Sequence, residues 1–504
     1  MELPWNEVDK LLSGLATDVP HEAKVRREAI PLVFVPGIMG SRLRLAGTDG
    51  SGENAQGLPN LRWEPSAGWL FKNCSGEPPE HRKALLIGEV FDPGYLEVDE
   101  AKPVGDGFRG IMEEYRSFLE ILRTRDWGPL ARLFEFPVYA CGYNWTGDAA
   151  VAGARVAKRI DEIMAEARQV TGRCEKVILI SHSMGGLVTR AAAKLAGAEG
   201  KVLGIVHGVQ PAWGAAAAYW RIKAGFEGSW IVGRLTSRFL GSSAPHVTII
   251  LGNAIGGLEL LPTKQYVIND GRKQWLFIVD GKKVTAMPRS GNPYDEIYRV
   301  KGQCAKPKSG APSTNTWWGL VDPALLDPAR GSGGGNALDD LLGGAFDPWG
   351  NYLGLLATAE GFHASLGTYT HPYTYSFHGR GEKTAEFIRF DCESNWVWSD
   401  PYRTRGFLGF YRNEKGEDMQ AVLQDPGGDG DGTVPVSSAT FQGGPPLPDR
   451  GAPGHRGFDG LEHQPAFESG EAQRFTIAGI TALGGRPVHH PRCTGRPARR
   501  RPPE

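Results

Sequence analysis

Apolar positions along this chain recur with two different periods. Apolar runs stand at Ile30–Val35 (I-P-L-V-F-V), Val177–Ile180 and Val202–Val209, and Leu133–Tyr139 is a further strand candidate. Runs of this length, closed by turn residues such as Pro36-Gly37, suit strands buried on both faces of a parallel sheet. Between them the spacing becomes helical. Ile111, Tyr115, Phe118, Leu119 and Leu122 fall on one face and predict a helix over Ile111–Arg123. Val156, Ile160, Ile163 and Met164 do the same for Ala149–Val170, and Leu187–Leu195 reads as a further helix. The alternation of strand and helix predicts an α/β protein with a doubly wound, mostly parallel sheet.

The beat stops after Val209. Residues 210–385 are rich in Trp, Tyr, Gly and Pro and lack regular alternation, so they are expected to form a large inserted cap or lid. The sheet pattern returns at Phe387–Phe390 and at Met419–Leu423. The expected division is a polar, partly helical lead-in over 1–29, a first core part over 30–209, the cap over 210–385, a second core part over 386–485, and a disordered tail over 486–504. Residues 45–60 read as a Gly-rich loop.

Composition narrows the function. The 504 residues, 40% of them hydrophobic, are ample for a large core, while 69 Gly and 36 Pro imply long irregular connections. With 56 Lys+Arg against 57 Asp+Glu the net charge is −1, which removes the electrostatic case for a nucleic-acid partner. Cys74, Cys141, Cys174, Cys304, Cys392 and Cys493 lie far apart and form no C-x-x-C pair. Free buried thiols are expected, with one disulfide as the alternative, and no structural zinc. Met1–Leu12 is acidic and amphipathic, unlike a cleavable signal peptide, and no run reaches the roughly 18 apolar residues of a membrane span. The expected location is cytoplasmic, or outside the cell by a route that needs no such signal.

The chemistry concentrates where a strand turns into a helix. Ser181-His182-Ser183-Met184-Gly185-Gly186 follows the run ending at Ile180 and opens the Leu187–Leu195 helix. A strand, a sharp turn carrying serine and a helix make a nucleophile elbow, which exposes the Ser183 hydroxyl beside unpaired helix N–H groups. The usual pattern is G-x-S-x-G, and Ser181 stands at its first position, where the requirement is a small residue. Hydrolases built this way carry the acid and then the base later in the chain. Asp431, in Asp429-Gly430-Asp431-Gly432-Thr433-Val434, is the expected acid, with Asp429 second. An EF-hand calcium reading of these aspartates fails, because Gly427 and Ser438 would fall at the first and twelfth ligand positions. His463 is the expected base on chain order; His455, His489 and His490 are its rivals among 12 histidines. For the oxyanion, Val35-Pro36-Gly37-Ile38-Met39-Gly40 follows the first strand, and the expected donors are the N–H groups of Ile38 and Met184. Such a site needs no metal and no organic cofactor.

Together these segments resemble the lecithin:cholesterol acyltransferase family of lipase-like α/β-hydrolases. Pro36-Gly37-Ile38-Met39-Gly40-Ser41 looks like its oxyanion segment, and Tyr139-Ala140-Cys141-Gly142-Tyr143-Asn144-Trp145 is similar to its P-Y-D-W-R stretch, with Asn144 and Thr146 in place of Asp and Arg. Ser181–Gly186 matches its elbow. Pro211-Ala212-Trp213-Gly214 and Leu258-Glu259-Leu260-Leu261-Pro262 resemble its P-W-G and L-L-P pieces, and Asp431 and His463 match its acid and base. The resemblance implies long-chain carboxylic esters of lipids as substrates and an acyl-enzyme. The Trp- and Leu-rich cap fits an apolar acyl site under a lid and equally fits ordinary core packing, and a membrane surface joins the lipid ester among the candidate partners. It leaves open whether water or an alcohol accepts the acyl group, so a lipid acyltransferase is the alternative to a lipase or phospholipase. A non-catalytic binding protein on the same fold is the rival from another class. A looser likeness, carried by the same core, the Ala215-Ala216-Ala217-Ala218-Tyr219 segment and the lack of a signal peptide, is to bacterial lipase effectors delivered by contact-dependent (type VI) secretion.

Overall fold

The computed structural model describes residues 27–225 except 65 and 106, and residues 243–302, 316–328, 346–393, 407–412, 417–424, 427–440 and 454–485. The lead-in up to residue 26, the tail over 486–504, Cys304, Cys493, His489 and His490 lie outside the described residues.

A six-stranded sheet forms the centre. Its strands are β1 (Leu32–Val35), β2 (Val138–Ala140), β3 (Val177–His182), β4 (Val202–Gly208), β5 (Thr374–Arg380) and β6 (His455–Asp459), in the order β6-β5-β4-β3-β1-β2. Every pairing is parallel. The period-two alternation of the apolar runs is what separates the two faces. Val33, Val35, Leu179 and Ile205 enter one core cluster with helices α2 (Ala149–Thr171) and α3 (Gly185–Lys194). Leu32, Phe34, Ile178, Ile180 and Val206 enter the other, with α1 (Arg116–Thr124) and α5 (Gly470–Gly484). A continuous run of branched residues is therefore buried on both sides.

Helix α2 shows how local sequence sets an element. Asp148 caps its start by accepting from the Ala150 N–H, Gly172 ends it at φ 85°, and Val156, Ile160, Ile163 and Met164 are all buried along one face. Other segments differ from the expectation. The helix expected over Ile111–Arg123 begins later, with a tight turn at Glu113–Tyr115 and α1 proper from Arg116. The cause is that Met112 stays extended and spends its N–H on the Gly40 carbonyl at 3.0 Å. The run Leu133–Tyr139 is split at Pro137, which has no N–H for a sheet ladder, into Phe134–Glu135 and β2.

The central sheet takes the chain back at Thr374, inside the segment read as cap. Ile388–Glu393 and Asp418–Leu423 do not belong to it. They join Leu276–Asp280, Lys283–Met287 and Phe407–Arg412 in a second, five-stranded mixed sheet. That second layer thus draws on the stretch after β4 and on the stretch after β5, and helix α4 (Pro348–Leu366) precedes β5. A further three-stranded sheet, Leu43–Leu45, Leu61–Trp63 and Leu96–Val98, brackets the stretch read as loop, and residues 46–60 lie outside its strands. Its strands are too short to show a period. Among the described residues Cys74, Cys141 and Cys174 are free buried thiols, and no helix is long and apolar enough to cross a membrane.

Candidate active site

The sheet order reverses around β1. From β1 the chain goes out to β2 on one side, then returns to β3 on the other. In open parallel sheets the crevice at the carboxyl ends beside such a reversal is where ligands bind. The elbow leaves the carboxyl end of β3, and the Pro36–Gly40 loop leaves the carboxyl end of β1.

Backbone strain gathers at this edge. Among the described residues the non-glycine ones with positive φ are Met39 (62°), in the loop after β1, and Ser183 (51°) and Val209 (46°), directly after β3 and β4. Left-handed backbone is costly for any side chain, and most of all for a β-branched one. It persists here because hydrogen bonds hold it: Ser183 N–H to the Gly208 carbonyl at 2.9 Å, Val209 N–H to Phe377 at 2.9 Å, and the Met39 carbonyl from the Trp63 indole at 2.9 Å. At φ 51° Ser183 stands on the sharp turn of an elbow.

Close packing explains the glycines. A Cβ on Gly185 would lie 2.4 Å from the Pro36 carbonyl oxygen, and one on Gly37 would lie 3.0 Å from His182 Nδ1 and 3.1 Å from Ser183 Cβ. The Pro36–Gly40 loop and the elbow are thus in direct contact. Ser181, the departure from the usual glycine, is fully buried, and its hydroxyl meets His207 Nδ1 at 2.7 Å. The small-residue requirement is satisfied, and the added hydroxyl has a partner on β4.

Asp431, His463 and Ser183 form one hydrogen-bonded chain. His463 Nε2 lies 2.8 Å from Ser183 Oγ, and His463 Nδ1 lies 2.8 Å from Asp431 Oδ2. The second carboxylate oxygen, Asp431 Oδ1, accepts from the Thr433 N–H at 2.9 Å and the Val434 N–H at 2.7 Å, which is what the D-G-T-V turn provides. All three side chains are buried, Ser183 to 4%, Asp431 to 2% and His463 to 8% exposure. Asp429 is exposed and accepts from the Gly381 N–H. His455 lies on β6, bonded to Ser376 Oγ at 2.6 Å and stacked on His378, so neither member of that pair meets Ser183. Among the described residues the Ile38 and Met184 N–H groups donate to no protein acceptor, and both flank the elbow. No cluster of three or more His, Cys, Asp or Glu able to hold a metal occurs among the described residues.

His182 and Tyr115, which carry no functional signal of their own in the sequence, also join the site. His182 is wholly enclosed, with Nδ1 2.9 Å from the Tyr115 hydroxyl and Nε2 2.9 Å from the His463 carbonyl oxygen. Burial, reinforced by the neighbouring His463, pushes its pKa down to about 3. A neutral ring with both nitrogens engaged has none left to meet the Ser183 hydroxyl. Its only sequence signal is a histidine beside the nucleophile, which says nothing about partners far along the chain.

The chain is similar to one in the crystal structure of the Tle4–Tli4 complex, with a TM-score of 0.69 and 24% identity, covering 91% of this chain and 99% of that one. The fold is that of an α/β-hydrolase. Two structures of the phospholipase PlaB from Legionella pneumophila, one in complex with thio-NAD, match at 11% and 12% identity over 79% and 78% of this chain, and 80% of each of theirs. Their TM-scores of 0.18 and 0.17 carry no argument. No family model and no curated protein matches the chain.

Proposed function

We propose that this protein is a serine hydrolase that cleaves carboxylic esters of lipids, of the lipase or phospholipase type. The observation that carries the proposal is the unbroken Asp431–His463–Ser183 hydrogen-bonded chain at the carboxyl end of β3. Ser183 Oγ attacks the ester carbonyl while its proton passes to His463 Nε2. Asp431 holds the proton on Nδ1 and offsets the imidazolium charge. The oxyanion is received by the Ile38 and Met184 N–H groups, neither of which is spent on a protein acceptor among the described residues. Collapse expels the alcohol with the proton from His463 and leaves an acyl group on Ser183. Water, deprotonated by His463, then attacks the acyl carbon, releases the fatty acid and restores the hydroxyl.

The lipid part of the reading is supported by the apolar surroundings of the elbow and by the motif resemblance. The Met184 side chain comes to within 3.0 Å of where a Cβ on Gly256 would stand, and the buried Ile255–Leu258 turn adds an apolar wall. The second layer built from residues after β4 is proposed as the cap over an acyl chain. Labelling with a fluorophosphonate, followed by peptide mapping, is the direct test. Label is expected on the peptide carrying Ser183, and Ser183→Ala is expected to lose both label and ester turnover while melting like the wild type. Full turnover in that variant would overturn the assignment.

A further inference from the structure

Four backbone and side-chain positions fix His463, and one of them comes from an unexpected direction. Its N–H donates to the Asp431 carbonyl at 2.9 Å, and its ring bridges Asp431 and Ser183. Its carbonyl, the remaining polar group, is met by His182 Nε2 at 2.9 Å. A carbonyl cannot donate, so Nε2 carries the ring proton. Burial keeps the ring neutral, so Nδ1 is an acceptor and the Tyr115 hydroxyl donates to it across 2.9 Å. The same hydroxyl oxygen accepts from the Gly37 N–H at 3.3 Å. Glu114 also stands beside that hydroxyl, but a proton given to Glu114 would leave Nδ1 without a donor.

The hydrogen bonds therefore run one way: Gly37 N–H to Tyr115 O–H, Tyr115 O–H to His182, and His182 N–H to the His463 carbonyl. The turn that carries Tyr115 is fastened at both ends. Met112 N–H bonds the Gly40 carbonyl at 3.0 Å, on the oxyanion loop, and Glu114 Oε1 accepts from Gln464 Nε2 at 2.8 Å, on the histidine loop. Tyr115 is held in place by packing against Phe34 at 4.8 Å between ring centroids. We infer that Tyr115 and His182 are positioning residues that lock the histidine loop to the oxyanion loop, so that the base and the anion donors keep one fixed geometry about Ser183. The inference rests on the proposed serine chemistry. Neither residue touches the reacting atoms. Their effect is on orientation, and a small misplacement of a base or donor is costly in rate.

The test uses the full-length protein, a soluble chromogenic short-chain ester, and the number of active sites from fluorophosphonate titration. Tyr115→Phe keeps the ring and removes only the hydroxyl. His182→Leu removes both bonds, and His182→Gln restores a donor near the place of Nε2. In Tyr115→Phe and His182→Leu, kcat per titrated site is expected to fall by about tenfold or more with KM within about twofold, and His182→Gln is expected to recover part of the loss. A merely structural role would lower the number of titratable sites and leave kcat per site unchanged. Wild-type kcat per site in both Tyr115→Phe and His182→Leu would overturn the inference. The proposed function would fail separately, through activity retained in Ser183→Ala.

Discussion

At the residue scale the informative position is the one that breaks the expected pattern. Ser181 stands where the elbow usually has glycine, and its hydroxyl supplies a partner for His207, which is fully buried and whose Nε2 has no partner among the described residues. Restoring the glycine, Ser181→Gly, is therefore expected to destabilise. It strips His207 of its bond, which costs about 1–3 kcal/mol, and it loosens the strand. The denaturant midpoint should fall while kcat per active site stays near wild type; an unchanged midpoint would remove the claim that the Ser181–His207 bond compensates. Asp431 makes the complementary case. Asp431→Asn keeps the shape of the turn but can place the wrong proton opposite His463 Nδ1, and kcat is expected to drop about a thousandfold or more with little change in melting temperature. Steady-state kinetics beside a thermal melt separate these outcomes.

At the scale of elements, the site depends on how closely helix α3 and the loop after β1 approach. Gly185→Ala would drive a methyl into the Pro36 carbonyl at 2.4 Å, against backbone that cannot rotate away. The start of α3 must move, and with it Met184 N–H and Ser183. Both stability, by about 1–3 kcal/mol, and activity, by more than about tenfold, are expected to fall together. Wild-type rates in that variant would show that the elbow tolerates a wider gap than the geometry implies. Elements also show where sequence periodicity is informative. Helix α2 and strands β1, β3 and β4 were legible because each has enough residues to display its period and buries one complete face or both. The short strands over Leu43–Val98 and the Pro137 break were not, since three residues carry no period and a proline acts on pairing rather than on burial.

For the whole molecule, buried neutral histidines make the fold sensitive to acid. Burial lowers His182 and His207 to about 3, and His363 and His455 to about 4, from an ordinary value of 6.5. Desolvation is the largest cause in each. In the unfolded chain these rings protonate as the pH drops below about 6.5, whereas in the folded chain they stay neutral until about 3–4. The stability they contribute is thus fully present above pH 6.5 and is lost progressively as the pH falls through the window between 6.5 and 3–4. Each can contribute about 1 kcal/mol per pH unit within it. Melting temperature is expected to fall measurably between pH 7 and pH 5, before most carboxylates titrate. A flat profile over that range would mean that the rings are hydrated or already charged in the folded state, or that Glu114, Glu259 and Glu386, whose carboxyls burial raises and which therefore favour the fold as the pH falls, offset them.

The sequence by itself determined what is contiguous. The strand–turn–helix of the elbow, the apolar alternation that divides two core faces, the capped helix α2 and the chain order of Ser183, Asp431 and His463 all lie within short segments or in simple succession. The tertiary structure decided everything that joins distant residues. It placed His463, and not His455, beside Asp431 and Ser183, because β6 turns His455 toward Ser376 and leaves His463 on the loop that returns to Asp431. It moved Ile388–Glu393 and Asp418–Leu423 to a second sheet, since apolar strands look alike whichever sheet they join. It also brought Tyr115 to His182, and His182 to the carbonyl of His463. The physical reason is the same in each case. Burial pattern records which side of an element faces the core, whereas a hydrogen bond between remote groups depends on the packing of every element between them.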